Sequence, residues 1–159
     1  FWIKFTDNYI ELIKGRLYGK NKRKKISAQF TLYSILRALV KLFAPILPHI
    51  TEELYQQLIK SQKDPISVHI SLWPQVNKKL SDEKMLENGK LLLEIISEIR
   101  KLKSENNIKL YEKIKKLIIS FKPKNKEFLT GILEDLKNIS GAETAELIKE
   151  QDCLVKIIK

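Results

Sequence analysis

The stretch Leu42-Phe43-Ala44-Pro45-Ile46-Leu47-Pro48-His49-Ile50-Thr51-Glu52-Glu53-Leu54-Tyr55 decides how this chain folds. Proline has no backbone N–H and disfavours helical geometry at the residue before it, so Pro45 and Pro48 force the chain to break and redirect. Pro48 is also well suited to the first turn of a helix. We therefore predict a third helix from about His49 to Ile59, after two helices that precede the break.

Amphipathic patterns predict those two helices. Apolar side chains in residues 2–18 recur at i, i+3 and i+4, which is the spacing of one helical face. Ser27 is a suitable N-cap for a second helix that ends near Phe43. Its apolar stripe is wide, so we predict that this second helix is the most buried one. Between the two helices, Lys20–Lys25 is predicted to be a loop dense in positive charge.

The segment after the third helix alternates in polarity. Val68, Ile70 and Leu72 are separated by single polar residues, a period of two that is typical of extended chain. Residues 60–74 are therefore predicted to run extended over the helices, with Trp73 filling a groove.

The remaining chain divides into one long helix and a mixed segment. Ser81 is predicted to cap the longest helix, over about residues 82–106. The β-branched and amphipathic runs that follow predict a small β-α-β-β unit. Its elements are a strand over 115–121, a helix over 125–139, and strands over 142–149 and 153–158.

Composition limits the class of protein. The 159 residues suit one domain, or one domain with a small appendage. The 30 Lys and Arg against 19 Asp and Glu give a net charge of +11. Such a surplus favours an anionic partner, either nucleic acid or a membrane surface. The alternative is a lysine-rich surface that only aids solubility.

No catalytic or metal-binding constellation is predicted. The five glycines lack the spacing of a phosphate-binding loop, and His49 and His69 are too isolated for a metal site. Cys153 is the only cysteine, which excludes an intramolecular disulfide and fits a reducing cytoplasm. No apolar run approaches the roughly 18 to 20 residues needed to span a bilayer. Met85 is the only methionine, so the chain is expected to be a fragment of a longer protein.

Several stretches resemble the class I aminoacyl-tRNA synthetases that charge aliphatic amino acids. Residues 44–54 (Ala-Pro-Ile-Leu-Pro-His-Ile-Thr-Glu-Glu-Leu) and 67–74 (Ser-Val-His-Ile-Ser-Leu-Trp-Pro) are similar to segments shared by the valyl, isoleucyl and leucyl branches. Residues 5–18 resemble the opening helix of the anticodon-binding domain in valyl-tRNA synthetases. Within them, Tyr-x-Glu-Leu-x-Lys-x-Arg-Leu-Tyr at 9–18 favours the valine branch. Residues 99–107 resemble a basic helix end, and the resemblance spans about residues 1–120.

This resemblance implies a mainly α fold. A four-helix anticodon-binding bundle is expected over residues 1–110, and the β-α-β-β segment forms a small α+β subdomain over residues 111–159. The implied function is to bind the anticodon stem-loop of tRNA and to position it for ATP-dependent aminoacylation with valine. The family's catalytic signatures, His-Ile-Gly-His and Lys-Met-Ser-Lys-Ser, do not occur in this chain.

The resemblance also implies partners and cofactors. The chain is expected to need no cofactor of its own, whereas the parent ligase uses ATP and Mg. Its implied partners are tRNA and the parent's catalytic and editing domains, in the cytoplasm and without a membrane.

Phosphate neutralisation and base recognition suggest which residues contact RNA. Lys and Arg neutralise phosphates, and planar or amide groups recognise bases that are splayed out of a loop. The predicted RNA-binding residues are Lys14, Arg16, Lys20, Lys22, Arg23, Lys24, Lys25, Arg37, Arg100, Lys101, Lys103 and Asn106. Asn107 is an alternative to Asn106 for reading a base edge, and a solvated charge run is the alternative reading of Lys20–Lys25.

Two other functions are left open by the residues. One is the same domain of an isoleucyl- or leucyl-tRNA synthetase. The other is a non-enzymatic basic helical module that docks on a protein or on an acidic membrane.

Overall fold

A computed structural model describes residues 3–77, 82–150 and 154–158. Packing divides the chain into two compact units, Phe1–Lys20 together with Ser81–Lys159, and Asn21–Leu80. We call the first the terminal unit and the second the central unit. The predicted boundary at residue 110, between a helical bundle and a small α+β subdomain, stays a prediction. In terms of packing, the long helix before that residue contacts the last strand and the helix that follow it.

The described residues contain five α-helices and three β-strands. In chain order these are α1 (Glu11–Tyr18), α2 (Lys22–Phe43), α3 (Pro48–Leu54), α4 (Glu83–Glu105), β1 (Ile114–Phe121), α5 (Lys126–Ser140), β2 (Ala142–Lys149) and β3 (Val155–Ile158). A π-helical segment, Ile3–Ile10, leads into α1, and another, Tyr55–Ile59, extends α3. The predicted mainly α fold with a C-terminal β-α-β-β segment is confirmed. The predicted Ser81 cap lies outside the described residues, as do Trp2 and Cys153.

The start of α2 differs from the prediction. The helix begins at Lys22, and the Asn21 side chain caps it by accepting a hydrogen bond of 3.1 Å from the Lys24 backbone N–H. Asn is as good an N-cap as Ser, and Lys and Arg are good helix formers. The predicted Ser27 cap is therefore wrong. The predicted loop is also wrong, because Lys22 to Lys25 form the first turn of the helix.

The prediction that α2 is the most buried helix is also wrong. Only Ala28 and Val40 are buried on α2, whereas α4 buries four side chains. Yet α2, with 22 residues, is by length and composition long and apolar enough to cross a membrane. The expectation that no apolar run approaches the length needed to span a bilayer is therefore wrong as well. The core helix of a soluble protein has the same length and composition when it is mostly buried, but only 11% of this apolar stretch of α2 is buried.

The core of the central unit gathers around the proline break. Pro48 lies in the first turn of α3, as predicted, and Leu47 occupies the cap position. The buried cluster comprises Val40, Ala44, Tyr55, Ile59 and Val68. Two tyrosine hydroxyls tie this core together, because Tyr55 donates to the Pro65 carbonyl at 2.8 Å and Tyr33 donates to the Ile59 carbonyl at 3.1 Å.

The predicted extended strap is replaced by a turn. Val68–Ile70 forms one turn of 3-10 helix, and the Ser67 hydroxyl caps it by accepting from the His69 backbone N–H. Val68 is buried, but Leu72 is 82% exposed. Trp73 is 57% exposed and does not fill a groove.

A mixed three-stranded sheet anchors the terminal unit. Its strand order is β2-β1-β3, with β2 parallel and β3 antiparallel to the central strand β1. Helix α5 crosses from β1 to β2 and ends at Gly141, whose φ of +69° is the left-handed geometry that favours glycine. Asp82 caps α4 by accepting from the Lys84 backbone N–H.

One apolar core lies between the sheet and the helices of this unit. Its buried residues are Leu12, Ile95, Ile96, Ile99, Ile108, Ile114, Leu117, Ile119, Phe121, Leu129, Ile132, Leu136, Ala142 and Val155. Side chains from α1, α4, α5 and all three strands therefore share a single interior.

Candidate nucleic-acid interface

The first turn of α2 concentrates positive charge in the central unit. Lys22, Arg23 and Lys25 are exposed, and Lys24 is half-buried. Four adjacent cations repel one another, and they lie at the end of a helix where the dipole favours negative charge. A bound anion relieves both unfavourable interactions. Lys20, just before the capping Asn21, is also exposed.

Arg37, in the same unit, is held by a carboxylate. Its Nη2 donates to Asp64 Oδ1, while Asp64 Oδ2 accepts from the Ser61 hydroxyl at 2.6 Å and from the Ser61 N–H at 3.1 Å. The Ser61 hydrogen bonds, with the Arg37 charge as a smaller cause, lower the pKa of Asp64 below its ordinary value. Arg37 therefore fixes the turn after α3, and its predicted contact with RNA stays a prediction.

Glu52 fixes the turn at Val68. Its Oε2 accepts from the Ser67 hydroxyl at 2.7 Å and from the Val68 N–H at 3.0 Å, and its Oε1 accepts from Gln56 at 2.5 Å. The Gln56 hydrogen bond is the largest cause that lowers the pKa of Glu52, and those from Ser67 and Val68 add to it. One carboxylate thus connects α3 to the segment that follows it.

We expect acid to weaken the central unit through these carboxylates. Their pKa values are lower in the folded state, so the unfolded state binds more protons and stability falls as the pH drops below about 4. In urea unfolding, Glu52→Gln should be less stable than the unaltered chain at pH 7, and the difference should narrow toward pH 3.

Glu53→Gln is the matched control, because among the described residues Glu53 accepts a hydrogen bond only from Gln57, one turn further along its own helix. The difference in stability between Glu53→Gln and the unaltered chain should change less between pH 7 and pH 3 than the difference for Glu52→Gln. If the stability difference between Glu52→Gln and the unaltered chain were the same at both pH values, the lowered pKa of Glu52 would not contribute to stability.

In the terminal unit, Arg16 joins α1 to α5. Its Nε lies 3.0 Å from both carboxylate oxygens of Asp135, and its Nη2 lies 2.5 Å from Oδ2. Asp135 is buried at 2% exposure, and Arg16 is 27% exposed. The hydrogen bond to Asp135 raises the pKa of Arg16 above its ordinary value. The structure gives Arg16 a packing role, and its contact with RNA stays a prediction.

The predicted residues on α4 have different environments. Arg100 is half-buried and donates to Asn8 Oδ1 at 2.8 Å and to the Asp7 carbonyl at 2.6 Å. Lys103 is 1% exposed, and burial lowers its pKa. Asn106 is exposed but donates to the Leu102 carbonyl at the end of the helix. Its reading of a base edge stays a prediction.

Lys14 and Lys101, like Lys20, belong to this unit and are exposed. Lys14 Nζ lies 2.6 Å from the Glu11 carboxylate, and Lys101 Nζ lies 3.6 Å from that of Glu98. Both pairs are formed by residues three apart on one helix, and exposed pairs of this kind hold their side chains only weakly.

The structure brings three of the predicted residues to one cavity. Lys14, Arg100 and Lys103 line it together with Tyr111 and Asn138, which the sequence prediction missed. The segment Lys109-Leu110-Tyr111-Glu112-Lys113 carried a usable signal, because an aromatic residue among lysines is typical of single-strand binding. In the described residues, no group of three His, Cys, Asp or Glu side chains is placed to hold a metal ion.

Comparison with known families identifies the helical part of the chain. Residues 1–119 match the family described as the anticodon-binding domain of tRNA ligase. The chain belongs to this family. This anticodon-binding domain thus contains α1 to α4 and most of β1, while the rest of the β-α-β-β segment lies beyond the family match.

Relatives of this anticodon-binding domain include three valine–tRNA ligases. The enzyme of Pyrococcus furiosus is 36% identical over 148 residues, which are 93% of this chain and 16% of the relative. The enzyme of Methanosarcina mazei is 38% identical over 146 residues, which are 92% of this chain and 15% of the relative. The enzyme of Ehrlichia ruminantium is 39% identical over 146 residues, which are 90% of this chain and 17% of the relative. The chain therefore spans less than a fifth of the length of these relatives.

Proposed function

We propose that the chain is the anticodon-binding part of a valine–tRNA ligase and holds the anticodon stem-loop of tRNA. The observation that carries this proposal is the extent of the similarity. It covers 93% of the chain in the Pyrococcus relative and runs past residue 119, where the family match ends. The similarity therefore includes at least β1, α5 and most of β2 as well as the helices.

In this proposal, catalysis takes place outside the chain. The parent ligase uses ATP and Mg to aminoacylate tRNA with valine in the cytoplasm, and its catalytic and editing domains act on the acceptor end. The present chain positions the tRNA by contacts at the other end. Phosphate contacts fix the register of the RNA, and base contacts verify the anticodon.

The distribution of charge supports RNA as the partner. The net charge is +11, and the first turn of α2 is its densest cluster. Cations at the start of a helix reduce its stability. Their presence there is explained if they bind phosphates.

Binding of valine tRNA should weaken steeply with salt. If four to six phosphates are neutralised, log affinity falls by roughly 3 to 5 per decade of salt concentration. Changing Lys22, Arg23, Lys24 and Lys25 together to Gln should weaken binding and reduce that slope by up to about 3. Thermal stability should not fall, because the substitutions remove repulsion at the helix start.

The matched control removes the same charge elsewhere. Lys115, Lys126, Lys149 and Lys156 are exposed, and changing all four to Gln lowers the net charge equally. The slope should fall less than for the α2 variant. Equal salt slopes for the two variants would mean that tRNA affinity depends on the net charge of the chain and not on the position of the lysines and arginine in α2.

Comparing tRNAs separates this proposal from its alternatives. The unaltered chain should bind valine tRNA more tightly than the same tRNA with an exchanged anticodon. Tighter binding of an isoleucine or leucine tRNA would assign the chain to another branch. Sedimentation with anionic vesicles, and no binding of tRNA, would favour the docking module.

A further inference from the structure

A cavity of about 420 Å³ opens within the terminal unit. It lies between α1, the second half of α4, the segment around Tyr111 and the end of α5. Pockets that bind small molecules have volumes from about 300 Å³ upward, so the cavity has room for a nucleobase. Ile96, Ile99 and Ile139 contribute apolar surface to its lining.

Two cations at this cavity donate to neutral oxygens in the part of the chain that the structure describes, and the Glu112 carboxylate acts on the charge of Lys103 only from a longer distance. Lys103 Nζ donates to the carbonyls of Leu110 at 3.0 Å and Glu112 at 2.7 Å. Arg100 donates to the Asn8 amide oxygen and to the Asp7 carbonyl. Within the described residues, neither forms an ion pair with a carboxylate.

Such cations favour an anionic ligand. A buried or half-buried charge is costly unless an opposite charge compensates it, and an ammonium group has three donors, of which Lys103 uses two on the carbonyls. Glu11 also lines the cavity, but its carboxylate is paired with Lys14 at 2.6 Å, so the positive charges of Arg100 and Lys103 are left in excess there. The arrangement therefore suits a phosphate.

The rim of the cavity offers an aromatic ring. Tyr111 is 78% exposed, and Lys109 Nζ lies 5.7 Å from the centre of its ring. Exposed aromatic rings beside cations are the surfaces on which unstacked bases lie. Asn138, which also lines the cavity, has an exposed amide with the donor and acceptor needed to read a base edge.

We propose that this cavity receives one unstacked nucleotide of the anticodon loop. Its base stacks on Tyr111 and its phosphate lies against Arg100 and Lys103. This inference rests on the proposed function, because it takes the ligand to be part of tRNA. A free nucleoside monophosphate offers the same base and phosphate, so the experiment includes both sources.

The experiment measures affinity for an isolated anticodon stem-loop of valine tRNA. Tyr111→Ala should weaken binding about 5- to 150-fold, the range expected when one stacked base loses its platform. Tyr111→Phe keeps the ring and should bind as the unaltered chain does. Tyr18→Ala is the matched control, because Tyr18 is 85% exposed in the same unit but does not line the cavity.

A fluorescent base locates the contact. With 2-aminopurine placed at each loop position in turn, one position should be quenched by the unaltered chain and by Tyr111→Phe, but not by Tyr111→Ala. Binding of the stem-loop with equal affinity by Tyr111→Ala would overturn the inference and leave the proposed function standing. Equal losses for Tyr111→Phe and Tyr111→Ala, or for Tyr18→Ala, would also overturn it.

Two further outcomes separate the ligand sources. Nucleoside monophosphates should compete with the stem-loop only at much higher concentration than the stem-loop itself. Competition at equal concentration would make the cavity a free-nucleotide site and overturn its assignment to the anticodon loop. Absence of any binding of the stem-loop by the unaltered chain would instead contradict the proposed function.

Discussion

Leu117→Ala should lower the free energy of unfolding of the terminal unit by about 2 to 5 kcal/mol. Leu117 is fully buried in the central strand β1, opposite Ala145 on β2 and Ile157 on β3. Those neighbours belong to a paired sheet and cannot easily collapse into the space that the leucine leaves. The loss is measured by urea unfolding, followed through hydrogen exchange of the β1 amides.

Lys115→Ala is the control for this strand. Lys115 is two residues earlier on β1 and exposed, so its replacement should change stability by less than about 0.5 kcal/mol. A loss below about 1 kcal/mol for Leu117→Ala would show that the sheet does not pack against the helices as described.

Asp135→Ala should lower the free energy of unfolding of the terminal unit by about 2 to 4 kcal/mol. Breaking a fully buried ion pair costs about 3 to 5 kcal/mol because it leaves an unpaired buried charge. Arg16 keeps 27% of its side chain exposed, which reduces that penalty. Arg16→Ala added to Asp135→Ala should cost less than the sum of the two single changes, since both remove the same contact.

Lys14→Ala provides the comparison on the same helix. It breaks the ion pair between Lys14 and Glu11, whose side chains are 51% and 46% exposed, respectively. Exposed pairs contribute about 0 to 1 kcal/mol to stability. If Asp135→Ala cost no more than Lys14→Ala, the contact between α1 and α5 would not depend on the buried pair.

Local signals predicted the parts of the fold that depend on neighbouring residues. Pro48 predicted the start of α3, and Gly141, where α5 ends, lies two residues after the predicted end of that helix. Both residues restrict or permit backbone geometry wherever they occur. The order of strands and helices after residue 107 likewise followed from periodicity alone.

Contacts between distant residues explain the errors. The alternation around Val68 predicted extended chain, but the Glu52 carboxylate binds Ser67 and Val68 and closes a turn. Asn21 and Ser27 are equally good caps, so local preference did not choose between them.

The candidate site shows the same limit. Lys103 followed the apolar row of α4 formed by Ile96 and Ile99, a position that predicts burial. The charge suggested an RNA contact instead. Its burial depends on carbonyls of Leu110 and Glu112, and the chain reaches them after Asn107, which has a φ of +54°. No local pattern predicts that geometry for a particular asparagine.

The terminal unit is discontinuous in sequence, and this has a consequence for synthesis on the ribosome. Arg16 meets Asp135 across 119 residues, so α1 emerges long before its partner exists. The central unit, Asn21–Leu80, is continuous and can fold while the rest is still being translated. Until α5 and the sheet are synthesised, Leu12 and Ile13 of α1 lack most of the interior that buries them. The nascent chain therefore exposes these two apolar side chains of α1 while the 119 residues that separate Arg16 from Asp135 are being synthesised.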